Sequence, residues 1–118
     1  MKTPSIGFIG GGRITRILLQ AFANKKINLV QATVFDINPE ASAKLKDRFP
    51  DIHIGQLEEA ASKAIVIICL HPNEIIETLE KIAPIITSRT VLGSLAPKIN
   101  SEKILAKLPQ INRLVRMI

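Results

Sequence analysis

Tryptophan and tyrosine are missing from this 118-residue chain, and aromatic residues make up only 3% of it. The stacking platforms that hold single-stranded nucleic acids are therefore absent, because the four Phe residues all sit in apolar contexts. Cysteine is scarce as well. Cys69 alone excludes an internal disulfide and fits a reducing compartment, so a cytoplasmic home is expected. Two His and one Cys show no metal-ligand spacing, and no metal site is expected. No apolar run approaches the about 18 residues of a membrane span. Gly10 to Gly12 and Arg13 interrupt any signal-peptide core after Lys2. Internal repeats, low-complexity tracts and linkers are also lacking, which leaves one domain, 1–118.

The charge balance has little negative to offset the positive: 16 Lys and Arg against 10 Asp and Glu, a net charge of +6. A basic chain raises the question of nucleic acid. The cations are spread along the sequence, with Lys25-Lys26 the only adjacent pair. A solvated basic surface, partly serving an anionic cofactor, is the better reading, and no nucleic-acid partner is expected.

Aliphatic residues dominate a hydrophobic content of 47%, as in an α/β protein with a buried parallel sheet. The chain is organised around Ile6-Gly7-Phe8-Ile9-Gly10-Gly11-Gly12-Arg13-Ile14-Thr15. Ile6 to Ile9 reads as a buried strand. Three glycines follow, and then Ile14, Ile17, Leu18, Ala21 and Phe22 recur at helical spacing as a candidate buried face. Strand, glycine turn and helix in succession is the context in which such a motif binds a dinucleotide. Gly10 allows the tight turn, and Gly12 lets backbone approach a pyrophosphate. The helix N-terminus then offers N–H groups and partial positive charge to that anion. The usual third glycine falls at Thr15, whose side chain would hold helix and strand slightly further apart. A glycine turn that binds nothing is the plain alternative.

Further strands are expected at Leu29 to Phe35, Ile52 to Ile54, Ala64 to Leu70, Thr90 to Gly93 and Ile111 to Ile118. Helices are expected from Pro39, with Asn38 as N-cap and Ala41, Leu45 and Phe49 inward, and from Gln56 to Ser62. A third opens at His71-Pro72-Asn73 with Ile75, Ile76, Leu79, Ile82 and Ala83 on one face. A last one is capped by Ser101-Glu102 and carries Ile104, Leu105 and Leu108. Alternation of strands and helices predicts a doubly wound, Rossmann-type parallel sheet of about six strands, in the order 3-2-1-4-5-6.

Asp36 ends the second expected strand. A carboxylate there can accept hydrogen bonds from the adenosine ribose and repel a 2′-phosphate, which leans toward NAD; it can equally cap the turn Asp36-Ile37-Asn38-Pro39. Arg13 could offset that lean. The loops Cys69 to Pro72 and Ser94 to Pro97 lie at the carboxyl edge, where such sheets bind ligands. His71 could act as a general acid, or simply line the cleft or cap the helix at Pro72. His53 reads as strand surface, and Cys69 as a small buried residue. No residue is assigned a catalytic role.

With these residues in view, the whole chain resembles the N-terminal dinucleotide-binding domain of the pyrroline-5-carboxylate reductases. More distantly, it is similar to the deazaflavin-dependent NADP oxidoreductases. Ile6-Gly7-Phe8-Ile9-Gly10-Gly11-Gly12 matches the family's opening motif, and Arg113-Leu114-Val115-Arg116-Met117 the strand leading into its Met-Pro-Asn element. Cys69-Leu70-His71-Pro72 stands where the family has an apolar pair and Lys-Pro, and Val91 to Pro97 where it has Ser-x-Ala-Ala-Gly. The resemblance implies that Ile9, Gly10, Gly11, Gly12, Arg13 and Ile14 hold the pyrophosphate of NAD or NADP, and Asp36 the adenosine end. Gln56 matches a family Asn near the cofactor. Cys69, Leu70, His71 and Pro72, with Ser94, Leu95 and Ala96, would flank the nicotinamide. Arg13 for a polar amide, His71 for Lys and Pro97 for Gly are departures from the pattern. The implied activity is reduction of a small cyclic imine by hydride transfer, as in proline biosynthesis. In the family a second, helical domain supplies the substrate pocket and homo-oligomerisation; it is not represented here, and a piece of a longer reductase is expected. The alternative of another class is a stand-alone nucleotide-sensing module without catalysis.

Overall fold

The computed structural model describes residues 4–70, 72–94, 104, 106–111 and 113–116. Six parallel strands form one sheet: β1 (Ile6–Ile9), β2 (Ala32–Phe35), β3 (His53–Ile54), β4 (Ile65–Ile68), β5 (Val91–Ser94) and β6 (Arg113–Arg116). Their spatial order is β3-β2-β1-β4-β5-β6, the doubly wound order expected from the sequence. The helices are α1 (Arg13–Asn24), α2 (Pro39–Arg48), α3 (Leu57–Ala61) and α4 (Pro72–Ile82).

Strand periodicity sorts the core into two layers. Ile9, Val66, Ile68 and Leu92 face α3, α4 and the helical residue Ile104 with Leu108. Ile6, Phe8, Val34 and Ile67 face Leu19 of α1 and Leu45 of α2. Gly7 on β1 makes room for α3: a Cβ there would lie 1.8 Å from the Ala60 carbonyl oxygen.

Two expectations need correction. Leu29–Gln31 is a 3-10 turn, with the Asn28 side chain accepting from Val30 N at 3.0 Å; the strand proper begins at Ala32. The local Asn cap competes successfully with extension of the ladder. On α1, Ile14 and Ile17 are 42% and 50% exposed, whereas Thr15 and Leu19 are fully buried and Leu18 and Phe22 pack beside them. At 3.6 residues per turn, Thr15, Leu19 and Phe22 share the sheet-facing stripe and Ile14 and Ile17 turn away from it. On α2 the buried residues are Ser42 and Leu45, with Phe49 buried just past its end and Ala41 half-buried. Asn38 caps α2 as expected, its Oδ1 accepting from Glu40 N at 3.0 Å. Ser101, Glu102, Leu105 and Ile118, named for the last helix and strand, lie outside the described residues.

Candidate functional site

The crossover point of the sheet lies between β1 and β4, and the glycine turn leaves β1 there. Ile9 is buried, and Gly10 follows with φ +109, a left-handed conformation suited to glycine. Space makes the same demand, since a Cβ on Gly10 would stand 2.3 Å from the Cys69 carbonyl oxygen. Gly10 N donates to Phe35 O, and Cys69 N to Ile9 O, both at 2.8 Å. These bonds extend the ladder past the strand ends and fix the turn between them.

Gly11 N donates to Asp36 Oδ2 at 2.6 Å, and Asn38 N donates to Asp36 Oδ1 at 2.8 Å. Asp36 therefore does cap its own turn, while also reaching the glycine loop. Each oxygen retains acceptor capacity for a further hydroxyl. Gly12 differs from its two neighbours: a Cβ built there meets nothing within 4 Å. It is the N-cap of α1, with no side-chain capping bond and no acidic residue in the first turn. The positive end of the helix thus faces open space.

Thr15 occupies the third-glycine position fully buried, and its hydroxyl donates to Gly10 O at 2.5 Å. It also shares a hydrogen bond with the Cys69 thiol. Burial pushes that thiol above the usual cysteine range, and the Thr15 contact pulls it weakly the other way.

Two cavities adjoin the glycine turn, and another lies beyond Asp36. One of about 210 Å³ lies over the crossover and is lined by Ile9, Gly10, Asp36, Ile37 and Leu70, with Thr78 of α4 opposite. Ile37 is 83% exposed at its rim. A second, of about 640 Å³, opens between α1 and α2 against Gly11 and Gly12. Arg13, Arg16, Lys44 and Arg48 line it, with Glu40 and Asp47 as the acidic counterweight. Gln56 lines a third cavity, about 500 Å³, on the β3 side of Asp36 and Ile37.

The fold thus brings Ile9, Gly10, Gly11, Gly12, Asp36, Cys69 and Leu70 together at one edge. Arg13 and Ile14 begin α1 on its exposed side. Ser94 ends β5, two strands from β1, and Pro72 opens α4. His71, Leu95 and Ala96 lie outside the described residues. His53 is a surface residue, its Nε2 2.8 Å from Glu59 Oε2. Arg16 and Lys44 escaped the sequence reading. The signal available was helical spacing, Arg13 with Arg16 and Lys44 with Arg48, on two helices that converge only in the fold.

The family described as NADP oxidoreductase, coenzyme F420-dependent, matches residues 5–97. ComE operon protein 4 of Bacillus subtilis is 26% identical over 117 residues, covering 96% of this chain and 43% of that protein. Among solved structures, a pyrroline-5-carboxylate reductase from Coxiella burnetii superposes with a TM-score of 0.88 at 24% identity, over 98% of this chain and 43% of that one. The Plasmodium falciparum pyrroline carboxylate reductase with NADP bound gives 0.80 at 20% identity, over 98% and 42%. A prephenate dehydrogenase from A. aeolicus in complex with hydroxyphenyl propionate and NAD+ gives 0.80 at 14%, over 98% and 41%. These structural likenesses establish the fold, and the chain spans less than half the length of each relative. The match over residues 5–97, on a sheet of this order with this glycine turn, makes the chain a member of the NADP oxidoreductase, coenzyme F420-dependent, family.

Proposed function

We propose that this domain binds a nicotinamide dinucleotide and serves a reductase that delivers hydride to a small cyclic imine, as pyrroline-5-carboxylate reductases do. The observation that carries the binding is Gly12: open space where its Cβ would be, at an uncapped helix N-terminus. Gly12 and the first N–H groups of α1 hold the pyrophosphate, and Gly11, whose own N–H goes to Asp36, brings the turn against it. The cations Arg13 and Arg16 supply attraction along the approach. Asp36 takes the adenosine ribose hydroxyls on its remaining lone pairs, and the cleft beside Ile37 takes the adenine. Gln56, with no side-chain capping bond of its own, sits beyond Asp36 at the adenosine end. The nicotinamide half lies toward Cys69, Leu70, His71 and Pro72 on one side and Ser94, Leu95 and Ala96 on the other.

The reduced nicotinamide, when bound, supplies the hydride for the imine carbon, while the imine nitrogen takes a proton. This chain's own residues bind, orient and exclude water around the cofactor. The substrate pocket and the homo-oligomer belong to the same reading, by resemblance to the reductases, and the single cysteine supports a cytoplasmic setting. The Asp36 carboxylate favours NAD. A second reading, NADP, is favoured by Arg13, Arg16 and Lys44 lining the cavity next to the ribose position.

Turnover decides the reaction. A protein carrying this domain should oxidise NADH or NADPH in the presence of pyrroline-5-carboxylate. Binding of a dinucleotide with no oxidation of either would leave a nucleotide-sensing module and remove the reductase.

A further inference from the structure

The Gly10 carbonyl and the Gly11 N–H belong to one peptide unit, and the fold grips both ends of it. The Thr15 hydroxyl donates to Gly10 O at 2.5 Å, and Gly11 N donates to Asp36 Oδ2 at 2.6 Å. Because a peptide unit is planar, fixing its oxygen and its hydrogen fixes its orientation. Without that grip the unit joins two glycines, the residues with the least torsional restraint. Rotation would aim the carbonyl oxygen at the Asp36 carboxylate and shift the turn that leads into Gly12 and the helix N-terminus. Thr15 reaches the carbonyl from the buried side: it is 0% exposed, on the stripe of α1 that packs on the sheet.

We propose that the Thr15 hydroxyl is a positioning residue for cofactor binding. It clamps the Gly10–Gly11 peptide against Asp36 so that Gly12 and the N–H groups that open α1 are held where they meet a pyrophosphate. This rests on the dinucleotide reading above. It also changes what the third position of the motif does: the side chain that adds bulk between helix and strand returns a hydrogen bond to the turn. Asp36 then serves twice, holding Gly11 in the free chain and receiving the ribose in the complex.

The test is NADH affinity for the 118-residue chain and for Thr15→Val and Thr15→Ser. Valine keeps the shape and loses the hydroxyl; serine keeps the hydroxyl and loses a methyl. The chain lacks Trp and Tyr, so the fluorescence of NADH is read against a dark background. Loss of one hydrogen bond that leaves a carbonyl unpaired predicts a roughly tenfold rise in Kd for the valine variant. Serine should restore affinity to within about threefold, although it destabilises the core more than valine does. A purely structural role predicts the opposite order. Valine binding within twofold of the parent chain, or serine binding worse than valine, overturns the clamp. Failure of the parent chain to bind either NADH or NADPH overturns the dinucleotide reading instead. If the valine variant does not fold, amide exchange in the ligand-free parent chain decides. The Gly11 N–H must exchange more slowly than that of Gly12, and equal rates overturn the proposal.

Discussion

Substituting Gly12 by alanine separates binding from folding. The new methyl meets nothing within 4 Å in the free chain, and φ −88 with ψ −153 suits any L-residue. The structural penalty is confined to exchanging glycine for alanine at an N-cap, about 1 kcal/mol, or roughly 4 °C in Tm. In the complex the same methyl projects from the backbone that the pyrophosphate must approach. Overpacking of that kind costs about 2 kcal/mol, close to a 30-fold rise in Kd. The assay is NADH fluorescence on the folded variant, with circular dichroism to follow unfolding. Gly10→Ala provides the contrast: φ +109 and the Cys69 oxygen at 2.3 Å predict loss of fold and binding together. NADH binding to Gly12→Ala with unchanged affinity would refute the reasoning, because the open space would then not be where the anion sits.

Gly7→Ala should lower stability by about 3 kcal/mol, since its Cβ would meet the backbone of the fully buried Ala60; thermal unfolding within 2 °C of the parent chain would contradict this. Asp36→Asn should shift the NADH-to-NADPH affinity ratio about tenfold toward NADPH, because the carboxylate that repels a 2′-phosphate is neutralised; titration with both cofactors reads it, and an unchanged ratio counts against Asp36 at the ribose. Burial raises the Cys69 pKa, so the fold favours the neutral thiol. That stability is complete below the ordinary cysteine value of about 8.5 and is lost as pH rises through the higher folded value. The fall in Tm between about pH 7 and about pH 10 should therefore be smaller in Cys69→Ser than in the parent chain.

Strand order and the position of the glycine turn were legible because they rest on short-range pattern: the apolar runs Ile6–Ile9 and Ile65–Ile68, and the glycines between strand and helix. The buried face of α1 was not. Ile14, Ile17, Leu18, Ala21 and Phe22 fall on one helical stripe, but the helix docks turned from it toward Thr15 and Leu19, and a buried threonine carries no hydrophobic signal. Thr15 is inward because Gly10 offers its hydroxyl a partner, a fact of three-dimensional proximity. Asn28 likewise shortened the second strand through a local bond that an apolar run conceals. At the site, the sequence indicates that Asp36 could cap or could bind. Only the fold brings Gly11 N to one oxygen and Asn38 N to the other, so that capping leaves room for binding. The cation-lined cavity needed two helices to converge, and neither Arg16 nor Lys44 is distinctive alone.

Calorimetric titration of the 118-residue chain with NADH, and separately with NADPH, tests the central claim most directly. Saturable one-site binding of at least one of them is predicted. No binding of either would contradict the claim that the open helix N-terminus at Gly12 is a dinucleotide site.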